Sequence, residues 1–154
     1  MKAFEQIPCK YFTADWQQIL AFMLHDQKFD KTRWTPQRKT KLTKQIKDLF
    51  KKEQWREIKL VEFANTKTSF RKTQETVIMN GNGCQDFFRH IRNAIAHGRF
   101  QYINDNICFV DYTDSTQKQQ TAYIYMSHET FMTCIRYMKQ LEAAKIEKKT
   151  RKAA

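Results

Sequence analysis

The sequence predicts a mainly α-helical fold: a helical bundle with a small three-stranded antiparallel sheet inserted before the last helix. In most segments apolar residues recur at spacings of three and four, the period of an amphipathic helix. Between residues 100 and 126 the period falls to two, which is typical of short strands. The chain of 154 residues has only three glycines and two prolines, a composition that argues against a sheet-rich or disordered protein.

The first two helices are predicted from capping residues followed by apolar stripes. Thr13 can cap a helix that runs to about residue 27. A second helix begins at Thr35 and Pro36, since threonine caps a helix and proline fits its first turn. Its apolar stripe shifts near Gln54 and then resumes, which predicts either one kinked helix or two helices ending near Asn65. Its many lysines are more typical of a solvated face than of a binding track.

Residues 66–82 give the weakest indication of secondary structure. They are polar, with a short apolar run at 77–79 before a glycine-rich turn. Residues 100–103, 107–112 and 121–126 predict the three strands, with turns at 104–106 and 114–120. Ser127 can cap a last helix. We therefore expect a single domain over residues 1–148 and a basic tail, 149–154, that frays.

The net charge indicates the class of partner, and the cysteines indicate the compartment and the absence of a metal site. The formal charge of +12 favours a polyanion, with nucleic acid preferred over an anionic membrane. Four scattered cysteines form no C-x-x-C pair, so we expect reduced thiols in a cytoplasmic protein, with neither a zinc site nor another metal or cofactor. The longest apolar runs are too short to span a bilayer, so we expect no membrane association.

The segment 84–98 contains the candidate catalytic residues. Its apolar residues form one helical stripe (Cys84, Phe87, Phe88, Ile91, Ile95). The other side of the predicted helix is polar (Arg89, His90, Arg92, Asn93, His97). Gly98 should end the helix. Arg92 and His97 lie roughly 140° apart on an ideal helix, so they must converge from its flanks, across a frayed last turn, or with the help of a symmetric partner.

The run Arg92-Asn93-Ala94-Ile95-Ala96-His97 resembles the R-x-x-x-x-H motif, with a polar residue after the arginine, of the HEPN superfamily, and the match continues into Gly98. The resemblance is specific over about fifteen residues. It implies a helical bundle that forms a homodimer, places Arg92 and His97 of both subunits in one composite cleft and cuts RNA without a metal ion. It also implies a toxin or antiphage defence role.

These residue types suit that chemistry. A histidine, with an unperturbed pKa of about 6.5, can move the proton of the ribose 2′-hydroxyl. An arginine can hold the charged phosphorane. We therefore predict an endoribonuclease that cleaves single-stranded or looped RNA to a 2′,3′-cyclic phosphate, with Arg92 and His97 catalytic and Asn93 orienting the histidine.

Further RNA contacts are expected from Arg89, His90 and Arg99. Arg99 occupies a position where superfamily toxins silenced by a nucleotidyltransferase tend to have tyrosine, so that form of control is not expected. Another inhibitor or antitoxin partner stays open.

Each residue also has a structural interpretation. A histidine at a helix end can simply contact the last carbonyls, and an arginine can form a structural ion pair. The alternative function is accordingly a non-catalytic RNA-binding or assembly module that keeps the bundle, or a nucleic-acid-binding subunit of a larger complex.

Overall fold

The computed structural model describes residues 2–23, 34–58, 75–113 and 119–153. In these residues four helices come first, and a short 3-10 helix, Lys52–Gln54, precedes the first strand. Two more helices follow, the first after two strands and the second after three. The helices are α1 (Lys2–Glu5), α2 (Cys9–Phe12), α3 (Ala14–Ala21), α4 (Pro36–Lys47), α5 (Cys84–Ala96) and α6 (His128–Ala153). The strands are β1 (Trp55–Glu57), β2 (Thr76–Met79), β3 (Phe100–Ile103), β4 (Asn106–Tyr112) and β5 (Gln120–Ser127).

The predicted fold class is wrong, because the described strands form one five-stranded mixed sheet in the order β1-β2-β5-β4-β3. β1 and β2 are parallel, and the other neighbours are antiparallel. The three predicted strands are present as β3, β4 and β5, but they are more than half of a larger sheet rather than an insertion in a bundle. The fold therefore combines helices with a substantial sheet.

The two strands that the sequence did not reveal lack a visible period of two. In β2 three consecutive residues, Val77, Ile78 and Met79, are all buried, so the strand shows a continuous apolar run. β1 has only three residues, and two of them are exposed charged side chains. The β1 segment was predicted to be helical, but it pairs with β2 as a strand despite its helical spacing of apolar residues. Residues 59–65, which belonged to the same predicted helix, lie outside the described residues.

Helix boundaries were predicted well where a side chain caps the helix. Thr35 accepts a bond from the Arg38 N–H at 3.4 Å, and Ser127 accepts one from Thr130 at 3.0 Å. The predicted cap at Thr13 is wrong, because its backbone is already helical (φ −82°, ψ −69°) and follows α2 directly. The predicted continuation of that helix beyond residue 23 lies outside the described residues.

The core lies between one face of the sheet and the helices. Its largest side chains are aromatic and fully buried (Trp16, Trp34, Phe22, Phe87, Phe88, Phe109, Phe131). On the other face, Ile58, Ile78 and Tyr123 form a smaller cluster. Within the described residues, no helix is sufficiently long and apolar to cross a membrane.

A buried hydrogen-bonded chain ties α3 to β3 and α6. Trp16 Nε1 donates to Tyr102 Oη at 2.9 Å, and Tyr102 Oη lies 2.7 Å from His128 Nδ1. His128 Nε2 lies 2.7 Å from Asp15 Oδ2, and the ring stacks on Tyr11 with centroids 3.6 Å apart. Burial raises the pKa of Tyr102, so its hydroxyl keeps its proton and can donate a hydrogen bond to Nδ1. With a proton on Nε2 directed at Asp15, every polar group in the chain has a hydrogen-bond partner.

Candidate active site

The motif helix α5 packs its apolar stripe against the sheet, chiefly on β4, and against α4. All five predicted stripe residues are buried (Cys84, Phe87, Phe88, Ile91, Ile95). This packing fixes which side of α5 can meet a ligand. The side chains that remain for function are those that point away from the core near the end of the helix.

The last turn of α5 has a defined geometry. His97 is the capping residue (φ −98°, ψ 6°), and Gly98 follows in the left-handed conformation with φ of 64°. The Gly98 N–H donates to Ile95 at 3.1 Å and the Arg99 N–H to Ala94 at 2.7 Å. These two bonds form a Schellman motif, which is the reason that glycine follows the helix here. The prediction that Gly98 ends the helix is confirmed.

Arg92 and His97 are both exposed on this helix. His97 has left the regular helical conformation, so the 140° separation of an ideal helix does not fix its direction. Arg89 is also exposed and forms a surface ion pair with Asp86, with 3.0 Å between Nη2 and Oδ1. The arginines and His97 can therefore reach a large anionic ligand at the surface.

The prediction that His90 lies on the polar side and contacts RNA is wrong, because its side chain is buried with 1% exposed. Nδ1 lies 2.8 Å from Asp111 Oδ2, and Nε2 lies 2.8 Å from the Asn80 carbonyl oxygen. His90 follows Phe87 by three residues and precedes Ala94 by four, which places it on the buried stripe. That spacing was visible in the sequence, but its polar side chain suggested the opposite side.

Both ring nitrogens of His90 face acceptors, a carboxylate oxygen and a carbonyl oxygen, so both contacts are satisfied when each ring nitrogen carries a proton. Burial alone would raise the pKa of Asp111. The bonds from His90 and Asn93, the charge of His90 and the Tyr112 N–H outweigh burial, and the pKa is lowered. The pair is thus a buried salt bridge between α5 and β4.

Asn93 belongs to the same cluster, since its Nδ2 donates to Asp111 Oδ2 at 3.3 Å. The predicted role of Asn93 was to orient His97. Its observed bond instead anchors α5 to β4, so any effect on His97 passes through the position of the helix. Asp111 therefore holds two residues of the motif helix from below, while Arg92 and His97 remain exposed.

Sequence reasoning missed Asp111 as a functional residue. The signal was its register, because in β4 it follows Ile107 and Phe109 at intervals of two and so faces the core. A carboxylate in such a position needs a buried donor. No spacing rule, however, indicates a histidine 21 residues earlier as that donor.

Arg99 lies just beyond the motif. Its guanidinium sits over the Tyr112 ring, 4.9 Å from the centroid. The two side chains line a shallow depression of about 260 Å³ together with Gln101, Cys108 and Val110. The lining of this depression begins at Gly98, the residue that follows His97. It combines a cation, an aromatic ring and an amide.

Arg92 and His97 are thus exposed in the last two turns of a helix that packs on the sheet and ends at Gly98. The sequence profile of the HEPN pEK499 p136 family matches residues 16–149, which include every residue of the candidate site. The chain belongs to this HEPN family, and the predicted superfamily membership is confirmed. No curated protein and no solved structure matches the chain.

Proposed function

We propose that this protein is a metal-independent endoribonuclease that cleaves single-stranded or looped RNA. The observation that carries the proposal is the contrast within the motif helix. Arg92 and His97 are exposed, whereas their polar neighbours His90 and Asn93 are held by Asp111. Membership of a HEPN family is compatible with this activity. A rigidly anchored helix that presents two reactive side chains is well suited to position a phosphodiester.

The proposed reaction uses the nucleophile that RNA carries. One His97 takes the proton of the 2′-hydroxyl, and the freed oxygen attacks the adjacent phosphorus. The bond to the 5′ oxygen breaks, and a second His97 gives that oxygen a proton. The products are a 2′,3′-cyclic phosphate and a 5′-hydroxyl. Arg92 donates to the nonbridging oxygens, where negative charge increases in the transition state.

The base and the acid act on opposite sides of the phosphorus, so one histidine cannot easily do both. We propose that a twofold homodimer brings two motif helices together and supplies both histidines. In this arrangement the depression at Arg99 and Tyr112 receives a neighbouring nucleotide, with its phosphate near the guanidinium. A toxin or antiphage defence role, and control by an inhibitor, are part of the proposal because a free ribonuclease would damage its host.

Site-directed variants test the reaction. Arg92→Ala and His97→Ala should each lower cleavage of a fluorophore–quencher RNA by 10² or more, because each removes a group that acts on the reacting atoms. Both residues are exposed, so melting followed by circular dichroism should hardly change. Arg136→Ala is the matched control, since this exposed arginine lies on α6 and bonds to Thr133.

Assembly is measured on the same samples by light scattering. A dimer is expected at the concentrations at which cleavage is measured. If a monomer cleaves RNA at full rate, the composite site is wrong. If His97→Ala cleaves normally while Arg92→Ala unfolds, the motif is structural and the catalytic proposal fails.

A further inference from the structure

A basic groove lies at the end of α5 opposite His97. It consists of two adjoining depressions, of about 680 Å³ and 570 Å³, that share Lys47, Asp48 and Asn82. We call it the lysine groove, after the five lysines that line it (Lys39, Lys44, Lys47, Lys51, Lys52). With 13 residues, α5 is roughly 20 Å long. The groove is therefore separate from the candidate active site.

The charge of the lysine groove favours a polyanion. Its lining residues also include two carboxylates, Asp48 and Glu57, so the five lysines leave an excess of three positive charges. The lysines are brought together by α4 and by the turn that follows it. Grouped ammonium groups around a concave surface suit successive phosphates better than a single small anion.

Trp55 adds an aromatic surface to the lysine groove. Its ring is partly exposed, whereas Trp16 and Trp34 are each only 2% exposed. Phe87 of the motif helix stacks on the indole with centroids 5.5 Å apart, and Trp55 Nε1 donates to Asn82 at 3.3 Å. These contacts fix the orientation of the ring, which reduces the entropy lost when a ligand stacks on it.

The position of the Lys47 ammonium group indicates where a nucleobase can bind. Its Nζ lies over the Trp55 ring, 5.6 Å from the centroid. A nucleobase can take this place by stacking on the indole, while the flexible lysine moves to the phosphate next to that base. Two exposed arginines of α5, Arg89 and Arg92, lie along the helix between the end that carries the lysine groove and His97.

We propose that the lysine groove binds a single-stranded segment of the RNA substrate, a few nucleotides from the bond that is cut. A base stacks on Trp55, and the flanking phosphates contact Lys47 and Lys51. The choice of RNA as the ligand rests on the proposed function. The lysine groove would then add affinity and favour unpaired RNA, because a base within a duplex cannot stack on the ring.

The test uses the full chain carrying His97→Ala, so that bound RNA stays intact. Binding of a fluorescein-labelled oligouridine of about twelve nucleotides is followed by anisotropy between about 50 and 200 mM salt. Lys47→Ala with Lys51→Ala should weaken binding roughly tenfold and lower the slope of log K against log salt by about 1.4, the value for two lost phosphate contacts. The matched control, Arg136→Ala with Lys139→Ala, removes the same charge from a groove between α3 and α6. It should change the slope much less.

Tryptophan fluorescence provides a second measurement. RNA should quench the emission of the protein, and Trp55→Phe, which keeps an aromatic ring on Phe87, should abolish most of the quenching and weaken binding several-fold. Duplex RNA of the same length should not quench Trp55. The proposal is overturned if the control pair weakens binding as much as the lysine pair, or if quenching persists in Trp55→Phe.

The two proposals fail in different ways. If the chain with His97 intact does not cut RNA but the lysine pair selectively weakens binding, the lysine groove stands and the nuclease proposal fails. If that chain cuts RNA and the lysine pair leaves both binding and KM unchanged, the nuclease proposal stands and the lysine groove is wrong.

Discussion

The salt bridge between His90 and Asp111 makes a sharp prediction about stability. Asp111 is 3% exposed and accepts bonds from the His90 ring, the Asn93 amide and the Tyr112 N–H. Asp111→Ala removes the acceptor for all three donors and leaves the buried His90 ring without the carboxylate that faces it. The change should therefore be among the most destabilising single substitutions at this site.

The size of the effect follows from the partners that are lost. Removing one member of a buried ion pair costs about 3 to 5 kcal/mol. For 154 residues the entropy of unfolding is about 0.32 kcal/mol/K. The expected loss in Tm is therefore about 9 to 16 °C. Asp111→Asn should cost less, because a neutral His90 can accept a bond from the new amide at Nδ1 and still donate from Nε2 to Asn80.

The assay is thermal unfolding by circular dichroism between pH 3 and 7. The pKa of Asp111 is lowered in the folded protein, so its contribution is present above the unfolded pKa of about 3.9 and is lost as the pH falls through the folded value. The difference in stability between wild type and Asp111→Ala should thus persist from pH 7 to about 4 and then shrink. Asp105→Asn is the control, since Asp105 is an exposed carboxylate in a surface ion pair with Lys10.

A double-mutant cycle with His90→Ala tests the cause. The two substitutions should be strongly non-additive, since each one alone leaves the other partner unpaired. If Asp111→Ala lowers Tm by less than about 3 °C, or if the two losses simply add, the cluster is not the coupled ion pair described above.

The remaining predictions concern the helix end, the buried chain and the reaction. Gly98→Ala places a Cβ at a φ of 64°, so it should cost about 1 kcal/mol, or about 3 °C by calorimetry, and lower cleavage by moving His97. Tyr102→Phe leaves Trp16 Nε1 and His128 Nδ1 without a partner and should lower the free energy of unfolding in urea by about 1 to 3 kcal/mol. RNA cleavage should continue in excess EDTA and stop when the scissile 2′-hydroxyl is replaced by hydrogen. Recovery of 5′-phosphate products by mass spectrometry would instead indicate water as the nucleophile.

The parts of the fold that the sequence predicted are those governed by local periodicity and capping. The stripe of α5 and the alternation in β3 and β4 each follow from neighbouring residues, as do the caps at Thr35 and Ser127. β1 and β2 could not be recognised, because one is too short to alternate and the other is buried without interruption. These two segments are strands because β1 pairs with β2 and β2 pairs with β5.

The same limit applies to the candidate site. Arg92, His97 and Gly98 were found because they lie within one short motif. His90 was misplaced because its character depends on Asp111, a partner on another element. The role expected of Asn93 depended on the same residue. A polar side chain on an apolar stripe signals a distant partner, but the sequence does not identify that partner.

The strand order has a consequence for synthesis on the ribosome. β5 is hydrogen-bonded to both β2 and β4, so it joins the strand that precedes the motif helix to those that follow it. His97 is made 30 residues before Ser127, the last residue of β5. Until β5 has emerged, the two parts of the sheet beneath α5 have no strand to connect them. A nascent chain therefore carries the arginine and the histidine before it can hold them in place, and the order of translation delays the assembled site until the last strand is inserted.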